Sequence, residues 1–261
     1  MKLLCLGTGA ADWTEKDRIP GAEWRHFTST LVDDTLLIDP GPHIFKFAAE
    51  AGRPDLFDNV TDVVVTHSHP DHFSPATVMA LWKLKPRRLI GGFGCMQRLR
   101  EYNPFFAATV DFTELHAFET TTAAGFEIDA LPANHSTSIP TETSFHYILQ
   151  KDRKTVFYGP DGAWLRKETW IAMRKWAHFD AMILECTVGD GEGDFRIFEH
   201  NNIRMVEEMV RTFRKFGALK PDGKVYVDHM AKTLHTDHET LVKRLAPSGI
   251  TPCFDGMEIE V

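Results

Sequence analysis

The sequence predicts a layered α/β fold in one domain, and three features carry that reading. Short β-rich apolar runs recur along the whole chain, helical stretches are interleaved between them, and no low-complexity linker or solenoid-like repeat divides it. The β-rich runs fall at residues 2–6, 29–32, 35–38, 62–66, 88–90, 127–131, 144–149, 155–158, 181–185 and 224–227. A helix is predicted over 42–51, after the turn-forming Asp39-Pro40-Gly41 and before Gly52. Another is predicted over 75–84, with Ser74 as its N-cap. The clearest helix runs over 201–216, with Ile203, Val206, Met209, Val210 and Phe213 on one face and Gly217 closing it. A fourth is predicted over 236–245, and residues 188–195, with three glycines among acids, read as a loop.

Composition narrows the class further. At 261 residues, 43% hydrophobic and 25% charged, the chain is an ordinary globular protein with a sizeable core, which excludes disorder. A formal net charge of −8 opposes nucleic acid and anionic membranes unless a local basic patch compensates. The densest basic stretch, Lys83-Leu84-Lys85-Pro86-Arg87-Arg88, reads as a solvated face. Cys5, Cys95, Cys186 and Cys253 are scattered, which favours neither a disulfide framework nor a cysteine-built zinc site. No stretch reaches the roughly 18 apolar residues of a membrane span, and the first residues are too short an apolar run for a signal peptide. A reduced cytoplasm is the expected setting.

The chemistry sits in His67-Ser68-His69-Pro70-Asp71-His72, directly after an apolar run. His67 and His69, two apart where a strand ends, can point the same way. Asp71 and His72 follow on a turn restrained by Pro70 and can face a second point nearby. Imidazole nitrogens with a carboxylate oxygen suit zinc, manganese or iron better than calcium or magnesium. Chance would supply this pattern in roughly a few sequences per thousand of this histidine content.

This hexapeptide resembles the signature of the metallo-β-lactamase superfamily, and the resemblance runs over nearly the whole chain. Residues 3–9, ending Gly7-Thr8-Gly9, resemble its opening strand and glycine turn, and Leu36-Leu37-Ile38-Asp39-Pro40-Gly41 its second landmark. His135, Asp161 and His229, each after an apolar run, resemble the third to fifth. The resemblance implies a four-layer αββα sandwich with two divalent transition metals, zinc or manganese with iron also compatible. It implies that His67, His69 and His135 hold one metal, that Asp71, His72 and His229 hold the other, and that Asp161 bridges them. Asp39 is expected behind the ligands.

Phe198-Glu199-His200-Asn201-Asn202 resembles the extra histidine of the superfamily's phosphodiesterase branch, which includes the tRNA 3′-endonuclease and a cyclic-phosphate phosphodiesterase of carbon–phosphorus lyase metabolism. The carboxyl end, residues 248–259, resembles the latter. The endonuclease is the weaker match. Leu184-Glu185-Cys186-Thr187 lacks the histidine of its His-Glu-Ala-Thr landmark, and only 25 positions separate His135 from Asp161, too few for a tRNA-gripping arm. The cyclic phosphodiesterase carries a Cys-bearing structural zinc site with no counterpart here.

The implied reaction is hydrolysis of a small or cyclic phosphodiester, with His200 as general acid and Asp71 counted with it as catalytic. Lys232, His235 and His238 are weak candidates for substrate contact. The alternatives are a lactone or thioester hydrolase on the same metal frame and a non-enzymatic metal-binding module. The expected partner is a small phosphate ester rather than nucleic acid or membrane, with a homodimer left open.

Overall fold

The computed structural model describes residues 1–85, 87–176 and 178–261. Two seven-stranded sheets form its middle. One is built from β1 (Lys2–Gly7), β2 (Ser29–Val32), β3 (Leu36–Ile38), β4 (Asp62–Val64), β5 (Arg88–Gly91), β6 (Asp111–Glu114) and the strand nearest the carboxyl end, β14 (Glu258–Glu260). The other holds β7 (Thr120–Ala123), β8 (Phe126–Pro132), β9 (Phe145–Lys151), β10 (Lys154–Gly159), β11 (Phe179–Glu185), β12 (Leu219–Asp228) and β13 (Ile250–Pro252), in sequence order. Each sheet begins antiparallel and continues parallel: β3 to β6 in the first, β10 to β13 in the second.

The alternation of side chains along the strands explains the layers. Leu3 and Cys5 of β1 face the space between the sheets, joined by Ile128, Tyr147, Tyr158 and Ile183. Leu4 and Leu6 face outward onto α1 (Ile44–Glu50), α2 (Pro75–Leu84) and α3 (Phe93–Tyr102). Met182 and Leu184 of β11 face the opposite way, under α6 (Ile203–Lys215) and α7 (His238–Leu245), where Phe213 and Leu241 cover them. The result is the αββα sandwich that the resemblance implies.

The predicted cap forms, Ser74 Oγ accepting from Thr77 N at 3.3 Å, while α6 starts two residues later than predicted because Asn202 caps it by accepting from Met205 N at 2.9 Å. Several elements were not predicted. These are α3, α4 (Pro104–Ala107), α5 (Lys167–Met173), β6, β7, β13 and β14. β6 and β7 are polar (Asp-Phe-Thr-Glu and Thr-Thr-Thr-Ala), so their strand state comes from pairing rather than from apolar pattern. β7 joins β8 through Ala124 and Gly125, both at positive φ, the conformation a two-residue type I′ hairpin needs.

The basic stretch departs from its reading as a solvated face. Lys83 and Lys85 are exposed, but Arg87 is buried and donates to the carbonyls of Leu81, Lys85 and Phe57, bracing the end of α2. Pro86 lies outside the described residues. The four cysteines are free and buried. Among the described residues no helix is long and apolar enough to cross a membrane.

Candidate metal centre

The segments that follow the carboxyl ends of the strands converge at one edge of the two sheets, the usual place for a site in an α/β fold. β4 leads to His67, His69, Asp71 and His72, β8 to His135, β10 to Asp161, β11 to Glu185 and Thr187, and β12 to His229. Close packing fixes the loops. A Cβ on Gly41 would stand 2.2 Å from the Asp71 carbonyl, so the turn after β3 can lie against the hexapeptide only because residue 41 is glycine. Glu142 accepts from Ser68 N at 3.0 Å, Ser68 Oγ at 2.6 Å and Thr137 Oγ1 at 2.7 Å, tying the His67–His69 turn to the loop that carries His135.

The seven residues form two clusters of ligand atoms, which a third group, Asp161, Glu185, His200 and His229, overlaps. In the first, His67 Nε2 and His135 Nε2 each lie 3.0 Å from His69 Nδ1. Asp161 Oδ2 lies 3.5 Å from the His67 nitrogen and 3.2 Å from that of His135. In the second, His72 Nε2 and His229 Nε2 are each 3.5 Å from Asp71 Oδ2, and 3.6 and 3.7 Å from Asp161 Oδ2. Asp161 therefore stands between the clusters, and the seven residues singled out in the sequence are all brought together.

The hydrogen bonds behind these rings set which nitrogen is bare. Asp39 is fully buried and held at φ 57. Its Oδ2 accepts from His72 Nδ1 at 2.9 Å and from Thr66 Oγ1 at 2.8 Å, and Thr66 N donates to Oδ1 at 2.7 Å. With its proton given to Asp39, the Thr66 hydroxyl accepts from His67 Nδ1 at 3.0 Å. In neutral His67 and His72 the Nε2 lone pairs thus face the site. Thr187 Oγ1 bonds Glu185 Oε2 and, its proton so placed, accepts from His229 Nδ1 at 2.8 Å, which does the same for His229.

These donors fit metal ions. The buried Nε2 atoms of His72 and His229 have no hydrogen-bond partner among the described residues, a costly state unless a cation takes the lone pair. In the first cluster His69 Nδ1 lies 3.0 Å from the nitrogens of both His67 and His135, close to the roughly 3.3 Å expected between tetrahedral ligands of zinc. Burial and neighbouring imidazoles push the His69 pKa down to about 4 and that of His67 well below its usual value, so both stand deprotonated and ready to coordinate. Burial opposes ionisation of Asp161, but His135, His229 and His200 outweigh it and hold the carboxyl well below its usual range.

A cleft of about 300 Å³ opens over the clusters, lined among others by Asp12, Arg196, Glu199 and His200. His200, 18% exposed, has Nδ1 at 3.0 Å from Asp161 Oδ1 and 3.7 Å from Glu185 Oε2. Burial disfavours its charged form, but these two carboxylates prevail and raise its pKa to about 11. Fully buried Glu185 also receives Asn201 N and the Thr187 amide and hydroxyl, so it anchors both ends of the turn that presents His200. Sequence reasoning missed Glu185 and Thr187 as functional. Their signal was a carboxylate at the end of a buried apolar run, read only as a mismatched landmark.

The weak substrate candidates are placed elsewhere. His235 Nε2 bonds the Cys186 carbonyl, and His238 lines a separate cleft with Trp24 and Phe254. Lys232 donates its amide to Asp12, and its Nζ lies 5.8 Å from the Trp13 ring centre. None of the three lines the cleft over the clusters, although Ala231 and Thr233, on either side of Lys232, do. Arg196, which was not singled out, does line it.

Fold and clusters together define a metallo-hydrolase scaffold. The model of the β-lactamase superfamily domain matches residues 34–230, and the chain belongs to that superfamily. No curated protein matches it by sequence. It is similar in fold to a diphosphatase of the PhnP family, at 18% identity and TM-score 0.74 over 100% of this chain and 97% of that one. Zinc-bound PqqB from Methylobacterium extorquens aligns at 16% identity and TM-score 0.76 over the full length of both chains. The short form of human tRNase Z aligns at 17% identity and TM-score 0.69 over 100% of this chain and 99% of that one.

Proposed function

We propose that the chain is a dinuclear metal-dependent phosphodiesterase acting on a small or cyclic phosphate ester. His67, His69 and His135 would hold one metal and Asp71, His72 and His229 the other, with Asp161 shared, and zinc or manganese suits this nitrogen-and-carboxylate set. Such a metal pair supplies a nucleophile from water near neutral pH and offsets charge on the phosphoryl oxygens.

The observation that carries the reading is His200. Its Nδ1 is hydrogen-bonded to Thr187 Oγ1 at 3.2 Å and ion-paired with Asp161 Oδ1 at 3.0 Å, which leaves the Nε2 proton for the oxygen that departs from phosphorus. An alkoxide leaving group needs that proton. The PhnP-family diphosphatase and human tRNase Z, similar in fold, act on phosphate bonds by their names, which supports the same chemistry. Against a tRNA substrate stands the segment between His135 and Asp161. Residues 145–159 of it form the β9–β10 hairpin, with Asp152 and Arg153 as its two-residue turn, and the loop before it is tied to Ser68 through Glu142.

A panel of a cyclic phosphate, a linear phosphodiester, a lactone, a thioester and precursor tRNA, assayed with zinc and then manganese, tests the proposal. Turnover should be confined to the first two. Efficient lactone or thioester cleavage without phosphodiesterase activity would move the chain to another reaction.

A further inference from the structure

We infer that the substrate carries a planar aromatic group, held against Phe195 and Phe198, the chain neighbours of the cleft-lining Arg196 and Glu199; this rests on the phosphodiester reading. The two rings belong to a short 3-10 turn, Phe195–Phe198, five residues before α6. Residues three apart in a 3-10 turn eclipse one another, so both rings leave the same side of it. They are 77% and 75% exposed, whereas a protein of this size buries most of its phenylalanines.

The turn is built onto the active site. Asp194 caps it, accepting from Arg196 N at 2.8 Å, and grips the guanidinium by Nε at 2.9 Å and Nη2 at 2.8 Å. So fixed, Arg196 lines the cleft, with its guanidinium carbon 5.7 Å from the centre of the Phe195 ring. Glu199, next to Phe198, lines the same cleft and receives Ser136 Oγ from the loop carrying His135. His200 follows directly. One turn therefore supplies a proton donor, a guanidinium with Nη1 unbonded among the described residues, and two exposed rings.

A phosphodiester seated over the metal clusters puts its anion within reach of Arg196 and its substituent toward the two rings. A planar substituent stacks there; a bare sugar gains nothing from the rings.

Three substrates with the same scissile bond test this: adenosine 2′,3′-cyclic phosphate, a ribose 2,3-cyclic phosphate carrying phenyl at C1, and its 1-O-methyl counterpart. KM should be about 5- to 150-fold lower for the ring-bearing substrates, the range of one base–aromatic stack. Phe195→Ala and Phe198→Ala should raise those values toward the methyl substrate's and leave kcat and melting temperature unchanged, and Phe198→Trp should keep the preference. A lower KM for adenosine than for phenyl identifies a nucleobase as the natural ring, and equal values identify any aryl group. Equal KM for all three would overturn the platform and leave phosphodiester hydrolysis standing. No turnover of any of them, with a nitrophenyl diester also inert, would overturn both.

Discussion

Asp39 Oδ2 accepts from His72 Nδ1 at 2.9 Å and, by way of Thr66 Oγ1, also governs His67. One buried carboxylate therefore orients a ring in each cluster. Asp39→Asn should weaken both metals together, each by about 10–100-fold, the usual effect of losing a partner behind a ligand. Chelator competition on the purified variant, with bound metal counted, checks this. Loss confined to one site would mean that the link through Thr66 carries no energy.

The clusters predict two transition metals per chain when the protein is purified without chelator. Asp161 Oδ2 is within 3.7 Å of ligand nitrogens in both, so Asp161→Ala should deplete both metals. His135→Ala should act first on one. Elemental analysis of the two variants separates these outcomes, and a wild-type value of zero or one after supplementation would refute a dinuclear centre.

His200→Ala should slow a sugar phosphodiester by about 10²–10⁴-fold, the range for a positioned acid, and a nitrophenyl diester little, because nitrophenolate leaves without a proton. Metal content should stay unchanged. Glu185→Gln should show the same leaving-group pattern, more weakly, since Asp161 still holds Nδ1. Equal losses on the two substrates would make His200 a binding residue instead.

His43 lies away from the cleft, 7% exposed and stacked on Phe27 with ring centres 4.0 Å apart, and its Nδ1 accepts from Phe27 N at 3.2 Å. Burial, with His26 nearby, pushes its pKa down to about 4. Its folded pKa is below the unfolded value near 6.5, so the unfolded chain binds the proton more readily. The stability His43 contributes is full above about pH 6.5 and is lost as pH falls toward 4, by up to about 3 kcal/mol. Urea unfolding of wild type and His43→Leu across that window should show a steeper fall in the wild type. Parallel profiles would refute it.

The residues that meet the metals were legible because ligand chemistry is written as residue type and spacing: a histidine pair two apart, then single His and Asp residues after apolar runs. What the sequence hid depends on where a side chain turns in space. Lys232, His235 and His238 follow His229 closely, yet the cleft is lined there by Ala231 and Thr233 instead, while Arg196 reaches it from a short turn just after the predicted loop. The longer buried strands of both sheets were legible as apolar runs, but the three-residue β13 was not. β6, β7 and β14 were not, because each is short and partly exposed and owes its state to the neighbour that pairs with it.

β14 has a consequence for how the chain comes to be folded. It pairs Lys2 with Glu260 and Leu3 with Ile259, so β1 takes this neighbour only after residues 258–260 are made. Throughout synthesis one side of β1 offers its amides and carbonyls to any extended segment in reach, the situation in which nascent sheets join wrongly. A pairing this distant in sequence also makes closure of the first sheet slow. Recovery of active protein is thus set as much by protection of β1 during those seconds as by the stability of the finished sandwich.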